Sequence, residues 1–341
     1  MKKKIITIVI CILLIVTSIG AFMIYRQINS PAFAVTQDKY IYISEDENYS
    51  GVLRQLEDSA HLKNTNLFNR LADRMKYPQN IKSGRYKVSP EISYLEVIRL
   101  LRNGSQEPIR LTFNNIRLKE NLADRIGEQL MFNRSDLLDC LNNRKVTKDL
   151  GFDTTTILTL FIPNTYDIYW NTSLENFLIR MKNEYNRFWT DERIQKAEKI
   201  GLTPVEVSIL ASIVEEESAV RSEYPIVAGL YLNRLKKGML LQADPTVKFA
   251  VGDVTLRRIL FKHLEVDSPY NTYRNPGLPP GPIRIPSIAG IDGVLNYSRH
   301  NYLYMCAKED FSGTHNFAVT LGEHTKNARR YQEALNRAGI R

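Results

Sequence analysis

Cysteine is scarce. The 341 residues hold three, with no CxxC pair and no spacing that suits zinc, so neither a redox motif nor a structural metal framework organises the chain. The five histidines, His61, His263, His300, His315 and His324, form no HExxH pairing, which removes the metalloprotease reading. Internal repeats and low-complexity tracts are also missing. With 43% hydrophobic and 24% charged residues the composition is neither disordered nor collagen-like. The net charge of +9 is spread along the chain without an RNA- or DNA-binding signature. Nucleic acid is therefore not an expected partner, and a solvated basic surface, or contact with an anionic polymer, accounts for the charge.

The length allows two or three domains around a sizeable core. Met1-Lys-Lys-Lys4 precedes twenty uncharged residues, Ile5 to Ile24, and then Tyr25-Arg26. This predicts a membrane-spanning helix over 5–25 with a cytoplasmic tail at 1–4, which puts the rest of the chain outside a cytoplasmic membrane. A cleaved signal peptide is the competing reading. Against it, Ala32-Phe33-Ala34 lies too far beyond a run too long for a signal segment. Cys11 falls inside the span, leaving Cys140 and Cys306 as either one bridge or two separate buried thiols.

The densest chemistry lies in Leu210-Ala-Ser-Ile-Val-Glu-Glu-Glu-Ser-Ala-Val220, an apolar run closing on three acids. Thr203 as N-cap and Pro204 at the first helical position predict a helix running through those acids. At helical spacing Val207, Leu210, Ile213 and Val214 share a face, and Glu217 returns to it while Glu215 and Glu216 point elsewhere. A carboxyl carried into apolar surroundings holds its proton nearer neutrality, as a general acid must. The bland alternative is a helix-end acid that reaches water or pairs with Arg221 or Arg234.

Along the rest of the chain, 26–39 reads as a linker. Within 40–106, strand Tyr40–Ile43, helices Tyr49–Leu62 and Asn64–Met75, strand Gly84–Val88 and helix Ser93–Arg102 make a small α+β module. Residues 107–200 read as a helix-rich connector: strand Ile109–Phe113, then helices Leu118–Met131, Ser135–Leu141 and Leu174–Trp189, interrupted at Phe161–Tyr166. In 201–341 a helix over Ile226–Lys237 leads to Leu241-Gln-Ala-Asp-Pro-Thr-Val247, where Gln242 and Asp244 are expected at the end of a strand. Tyr270 to Pro282 is a rigid loop rich in Pro and Gly. Its aromatic rings and amides either line a sugar-binding groove or serve a structural Ω-type loop.

Ala211–Glu217, Tyr231–Leu235, Leu241–Thr246, Tyr270–Tyr273, Gly277–Gly281 and Gly313–Phe317 with His324, six motifs in order, resemble the family of membrane-anchored endolytic murein transglycosylases, the YceG-like proteins. The 40–106 module resembles the LysM-like subdomain of that family, mainly by length, position and the Ile81–Tyr86 run. The fold then implied is α+β: an N-terminal transmembrane helix, a small LysM-like module and a mixed α/β catalytic domain over 201–341. Asn164 departs from the family pattern, which has an acid there.

The resemblance implies a single membrane anchor, peptidoglycan glycan strands as substrate, peptidoglycan synthases as neighbours, and no cofactor or metal. It also implies that Glu217, the one acid of the three followed by serine, is the catalytic residue; Glu215 is the second candidate, as an orienting or sugar-binding group. Protonated Glu217 would donate to the oxygen between N-acetylmuramic acid and N-acetylglucosamine. The carboxylate would then take the proton of the muramyl 6-hydroxyl as it closes on C1, leaving a 1,6-anhydro end. Gln242, Asn271 and Tyr273 are expected to hold sugar and Asp244 to stabilise positive charge. His315 is expected either in the groove or as a structural histidine. A hydrolytic muramidase and a non-catalytic wall-binding scaffold remain the alternatives.

Overall fold

The computed structural model describes residues 2–253, 256 and 259–339. Met1 of the expected tail, and Val254, Thr255, Arg257, Arg258, Ile340 and Arg341 of the expected 201–341 region, lie outside the described residues. The chain divides into two compact units, one formed by residues 1–111, 129–132 and 166–173 and the other by 112–128, 133–165 and 174–341.

The first unit begins with helix α1 (Lys2–Ile28), whose apolar side chains are exposed along its length. Its Lys4–Ile28 segment is the one helix among the described residues long and apolar enough to cross a membrane. The stretch read as a linker is partly structural. Ala32 and Phe33 are buried, and Ala32 N donates to Ile92 O while Ala34 N donates to His61 O.

Strands β1 (Lys39–Ile43) and β2 (Gly84–Val88) pair antiparallel, Lys39 opposite Val88 and Ile43 opposite Gly84. Their alternation buries Ile41, Ile43, Tyr86 and Val88 on one face, as the period-2 pattern requires. Between and after them come α2 (Tyr49–Ala60), α3 (Thr65–Arg74) and α4 (Tyr94–Asn103). Asn48 and Asn64 cap the first two, a Ser93–Glu96 capping box starts the third, and Gly104 ends it at φ 72°. Val52, Leu56, Phe68, Val97 and Ile98 close the core. The β-α-α-β reading of this region therefore holds nearly residue for residue. Strand β3 (Ile109–Thr112) pairs with β4 (Thr165–Ile168), a strand the sequence reading took for an interruption.

In the second unit, α5 (Lys119–Gly127), α6 (Arg134–Asn142), α7 (Arg144–Asp149), α8 (Leu174–Phe188) and α9 (Asp191–Lys199) precede α10 (Pro204–Glu217). Helix α10 packs against α11 (Tyr224–Lys236), α12 (Asp244–Val251) and α14 (Ile288–Leu295); α13 (Phe261–Leu264) is a single turn. Strands β5 (Tyr304–Ala307) and β6 (His315–Ala318) pair antiparallel and carry α15 (Leu321–Arg337) on them.

Two expectations change here. Asp244 does not end a strand but opens α12, because the Asp-Pro step supplies a proline whose fixed φ suits the first helical turn. Cys140 and Cys306 are both free thiols, so the bridge alternative falls.

Candidate active site

Helix α10 begins as the sequence predicts. Thr203 Oγ1 accepts from Glu206 N at 3.2 Å, and the Glu206 carboxylate accepts from Thr203 N at 2.7 Å. Every residue from Val207 to Val214 is buried, so α10 is a core helix covered on all sides rather than an amphipathic one. The faces of α10 away from Val207, Leu210, Ile213 and Val214 are therefore buried too. What separates the three acids is the partner each meets at the helix end.

Glu215 turns to the start of α14, where it accepts from Ser287 N at 2.9 Å and from the Ser287 hydroxyl, with Arg284 Nε at 3.8 Å. Glu216 pairs with Arg117 at 2.7 Å and Arg284 at 2.6 Å. Both carboxylates are thus engaged by protein partners. Glu217 instead receives the Tyr231 hydroxyl at 2.6 Å from α11.

Glu217 forms one wall of a pocket of about 270 Å³ with Tyr231, Arg234, Gln242, Asp244, Tyr273, Met305, Cys306 and His315. Burial raises its pKa from 4.5 to about 7; the Tyr231 hydrogen bond opposes this, the Asp244 charge adds to it, and Arg234 and Lys248 pull it back. Tyr231, desolvated beside the carboxyl, has its own pKa pushed well up, so it remains a donor.

Across the pocket the Tyr273 hydroxyl donates to Asp244 Oδ1 at 2.6 Å. Arg234 is buried and spends Nε on Leu303 O (2.6 Å) and Nη1 on Leu241 O (2.7 Å), which ties α11 to the strand-bearing end of the unit. Gln242 stands in the left-handed region at φ 50°, its N–H held by Thr272 O at 3.1 Å. That conformation exposes its side chain to the pocket.

The residue after Glu217 ends the helix. Ser218 turns to φ −131°, ψ 131°, and its hydroxyl donates to Glu223 Oε2 at 2.9 Å. Buried Glu223 also accepts His315 N and His315 Nδ1, each at 2.8 Å. Burial raises the Glu223 pKa, but these hydrogen bonds outweigh it and hold the carboxyl below its ordinary range. Among the described residues no cluster of three or more His, Cys, Asp or Glu is placed to hold a metal ion.

The order of these elements, and the carboxyl at the end of α10, can be set against known proteins. The family model for the YceG-like family matches residues 41–330. The chain belongs to the YceG-like family.

A protein of Bacillus subtilis named endolytic murein transglycosylase is 38% identical over 169 residues, 49% of this chain and 45% of that protein. A Streptococcus pneumoniae protein of the same name is 24% identical over 335 residues, 87% of this chain and 60% of its own length. The chain thus spans between about half and three fifths of these relatives. The crystal structure of a YceG-like protein from Listeria monocytogenes superposes with a TM-score of 0.55 at 26% identity, covering 86% of this chain and 99% of that one.

Of the residues expected from sequence in this family member, Glu217, Gln242, Asp244, Tyr273 and His315 meet in one pocket. Asn271 does not line it. Its side chain is fully buried, with Nδ2 donating to Leu264 O and Val266 O and Oδ1 accepting Tyr273 N, so it shapes the loop that presents Tyr273. Glu215 likewise does not line the pocket and accepts from the Ser287 N–H and hydroxyl at the start of α14. Sequence reasoning assigned no role to Tyr231 or Glu223. Tyr231 fell within a recognised motif, one helix away from Glu217; Glu223 follows Ser218 by five residues and carried no pattern.

Proposed function

We propose that the chain is an endolytic lytic transglycosylase of peptidoglycan, cleaving the β-1,4 bond between N-acetylmuramic acid and N-acetylglucosamine within glycan strands and terminating their growth. The observation that carries this reading is Glu217, a carboxyl with its pKa raised to about 7, held by Tyr231 in a polar pocket. At neutral pH such a group is divided between its two protonation states, which suits an acid that must later act as a base. Membership of the family, and the printed names of the relatives, support the substrate class.

In this reaction Glu217 protonates the glycosidic oxygen while positive charge develops at C1, and the Asp244 carboxylate, steadied by Tyr273, stabilises that charge. The muramyl 6-hydroxyl closes on C1 of its own ring and its proton returns to Glu217. No second carboxylate has to activate water, because the nucleophile is already attached and close. Gln242 and Tyr273 hold sugar at the pocket rim.

The supporting parts follow the same reading. The 5–25 segment anchors the chain in the cytoplasmic membrane, with the lysines at its start inside and the 201–341 region outside. The 40–106 module acts as a LysM-like contact to glycan, joined through 107–200. Peptidoglycan synthases are the neighbours that strand termination calls for. The test is digestion of uncrosslinked glycan strands by the full chain in detergent, with mass spectrometry of the ends. Internal fragments with 1,6-anhydro-muramic ends that vanish in Glu217→Gln support the reading; reducing muramic ends make the protein a hydrolase; strand binding without cleavage makes it a scaffold.

A further inference from the structure

Behind the pocket wall, Ser218, Glu223 and His315 form a hydrogen-bonded chain that the reaction above leaves without a task. Glu223 is buried and accepts three hydrogen bonds, from Ser218 Oγ at 2.9 Å and from His315 N and Nδ1 at 2.8 Å each. The His315 side chain is only 14% exposed, yet the residue lines the pocket with Glu217. In the neutral ring, the Glu223 carboxylate on Nδ1 keeps the proton on that nitrogen, so Nε2 is the acceptor of this tautomer.

Several other pocket groups already have protein partners. Tyr231 donates to Glu217, Tyr273 donates to Asp244, and Arg234 is bound to backbone carbonyls and cannot accept a proton. Glu217 begins the cycle protonated and so cannot take a second proton until it has given up the first. His315, a nitrogen base in the same pocket with its ring held by a buried carboxylate, is placed to carry that proton in the interval.

We propose that His315 Nε2 receives the proton of the attacking muramyl 6-hydroxyl, and that Glu223, acting through Nδ1, is the positioning residue that keeps Nε2 free for it. This rests on the transglycosylase reading and inserts one carrier into it. The Glu217 proton passes to the glycosidic oxygen, and the C1–O bond breaks with its electron pair on that oxygen, which leaves as the 4-hydroxyl of N-acetylglucosamine. O6 bonds to C1 while its proton moves to Nε2, giving an imidazolium beside the Glu223 carboxylate. The imidazolium then returns the proton through pocket water to the Glu217 carboxylate, and both groups are reset. By binding the 6-hydroxyl rather than water, His315 also decides which nucleophile reaches C1, so it sets the balance between anhydro and reducing ends.

The experiment compares wild type, His315→Gln and Glu223→Gln as full chains in detergent micelles on uncrosslinked glycan strands, scoring both the rate and the kind of new end. Each variant is expected to lose about tenfold to a hundredfold in the formation of 1,6-anhydro ends, to raise the fraction of reducing ends, and to bind strands as wild type does. Unchanged rate and end composition in either variant overturn the proposal. Should His315→Gln lose its cooperative melting transition, Glu223→Gln and ring nitrogen NMR of wild type decide: a proton on Nδ1 with Nε2 bare supports the proposal, and a proton on Nε2 in the resting protein overturns it. If wild type yields no anhydro ends, the transglycosylase reading has itself failed and the proposal falls with it.

Discussion

Tyr231 and Glu217, fourteen positions apart on neighbouring helices, share a 2.6 Å hydrogen bond in which the hydroxyl donates to Oε1. That contact opposes the effect of burial on the carboxyl, and the nearby Asp244 charge reinforces burial. The pKa of about 7 is thus a balance of burial with groups on α11 and α12, and it can be moved by substitution.

Replacing Glu217 by Gln should remove cleavage by a factor of about a thousand, within the range of a lost general acid. It should also stabilise the protein at high pH. Folding raises this pKa from 4.5 to about 7, so between those values the folded state keeps a proton that the unfolded chain has lost. The contribution of the site to stability is therefore whole below about pH 4.5 and falls as the pH rises to about 7. Urea melts should show Glu217→Gln more stable than wild type by about 2 kcal/mol near pH 8, after discounting for solvent at the pocket mouth, and equal to it near pH 4.

Tyr231→Phe and Asp244→Asn should shift the alkaline limb of the pH–rate profile in opposite directions. The first removes a hydrogen bond that lowers the Glu217 pKa, so activity should persist to higher pH. The second removes a charge that raises it, so activity should fail at lower pH. Shifts in the same direction in both variants would refute this account of the site.

Glu215→Ala should damage stability and leave the chemistry intact. It removes the buried acceptor of the Ser287 N–H and hydroxyl at the start of α14, a cost of about 1 to 3 kcal/mol by denaturant melts. The cleavage rate per folded molecule should stay within about twofold of wild type, and a collapse of that rate would return Glu215 to the catalytic list.

Gly229→Ala should destabilise α11, because a Cβ there would stand 2.3 Å from Ser298 O and 2.8 Å from His300 Nε2. A loss of at least about 2 kcal/mol in melting experiments is expected, since backbone rather than a flexible side chain must give way.

Much of the fold was legible because it is written in short-range signals. The apolar helix over 5–24, the alternation in 40–43 and 84–88, and the Thr203-Pro204 start of α10 each depend on neighbours within one turn or one pleat. Strands β4, β5 and β6 escaped the sequence reading and are held by their neighbours, β4 by β3, and β5 and β6 by each other and by α15. The Asp-Pro step at 244 was a local signal of a helix start that was read as a strand end.

The candidate site divides along the same line. The sequence by itself determined that an acid followed by serine closes an apolar helix, and that polar residues at 242, 244, 273 and 315 are available near it. Glu217 was also singled out there, but only the tertiary structure shows what each of the three adjacent carboxylates meets, because their partners lie 14 to 99 positions away: Ser287 and Arg284 for Glu215, Arg117 and Arg284 for Glu216, Tyr231 for Glu217. It also withdrew Asn271 from the pocket and brought Glu223 to His315 across 92 positions. A helix fixes direction to within a turn, but burial and hydrogen bonding, which set a carboxyl's proton affinity, are properties of whatever packs against that turn.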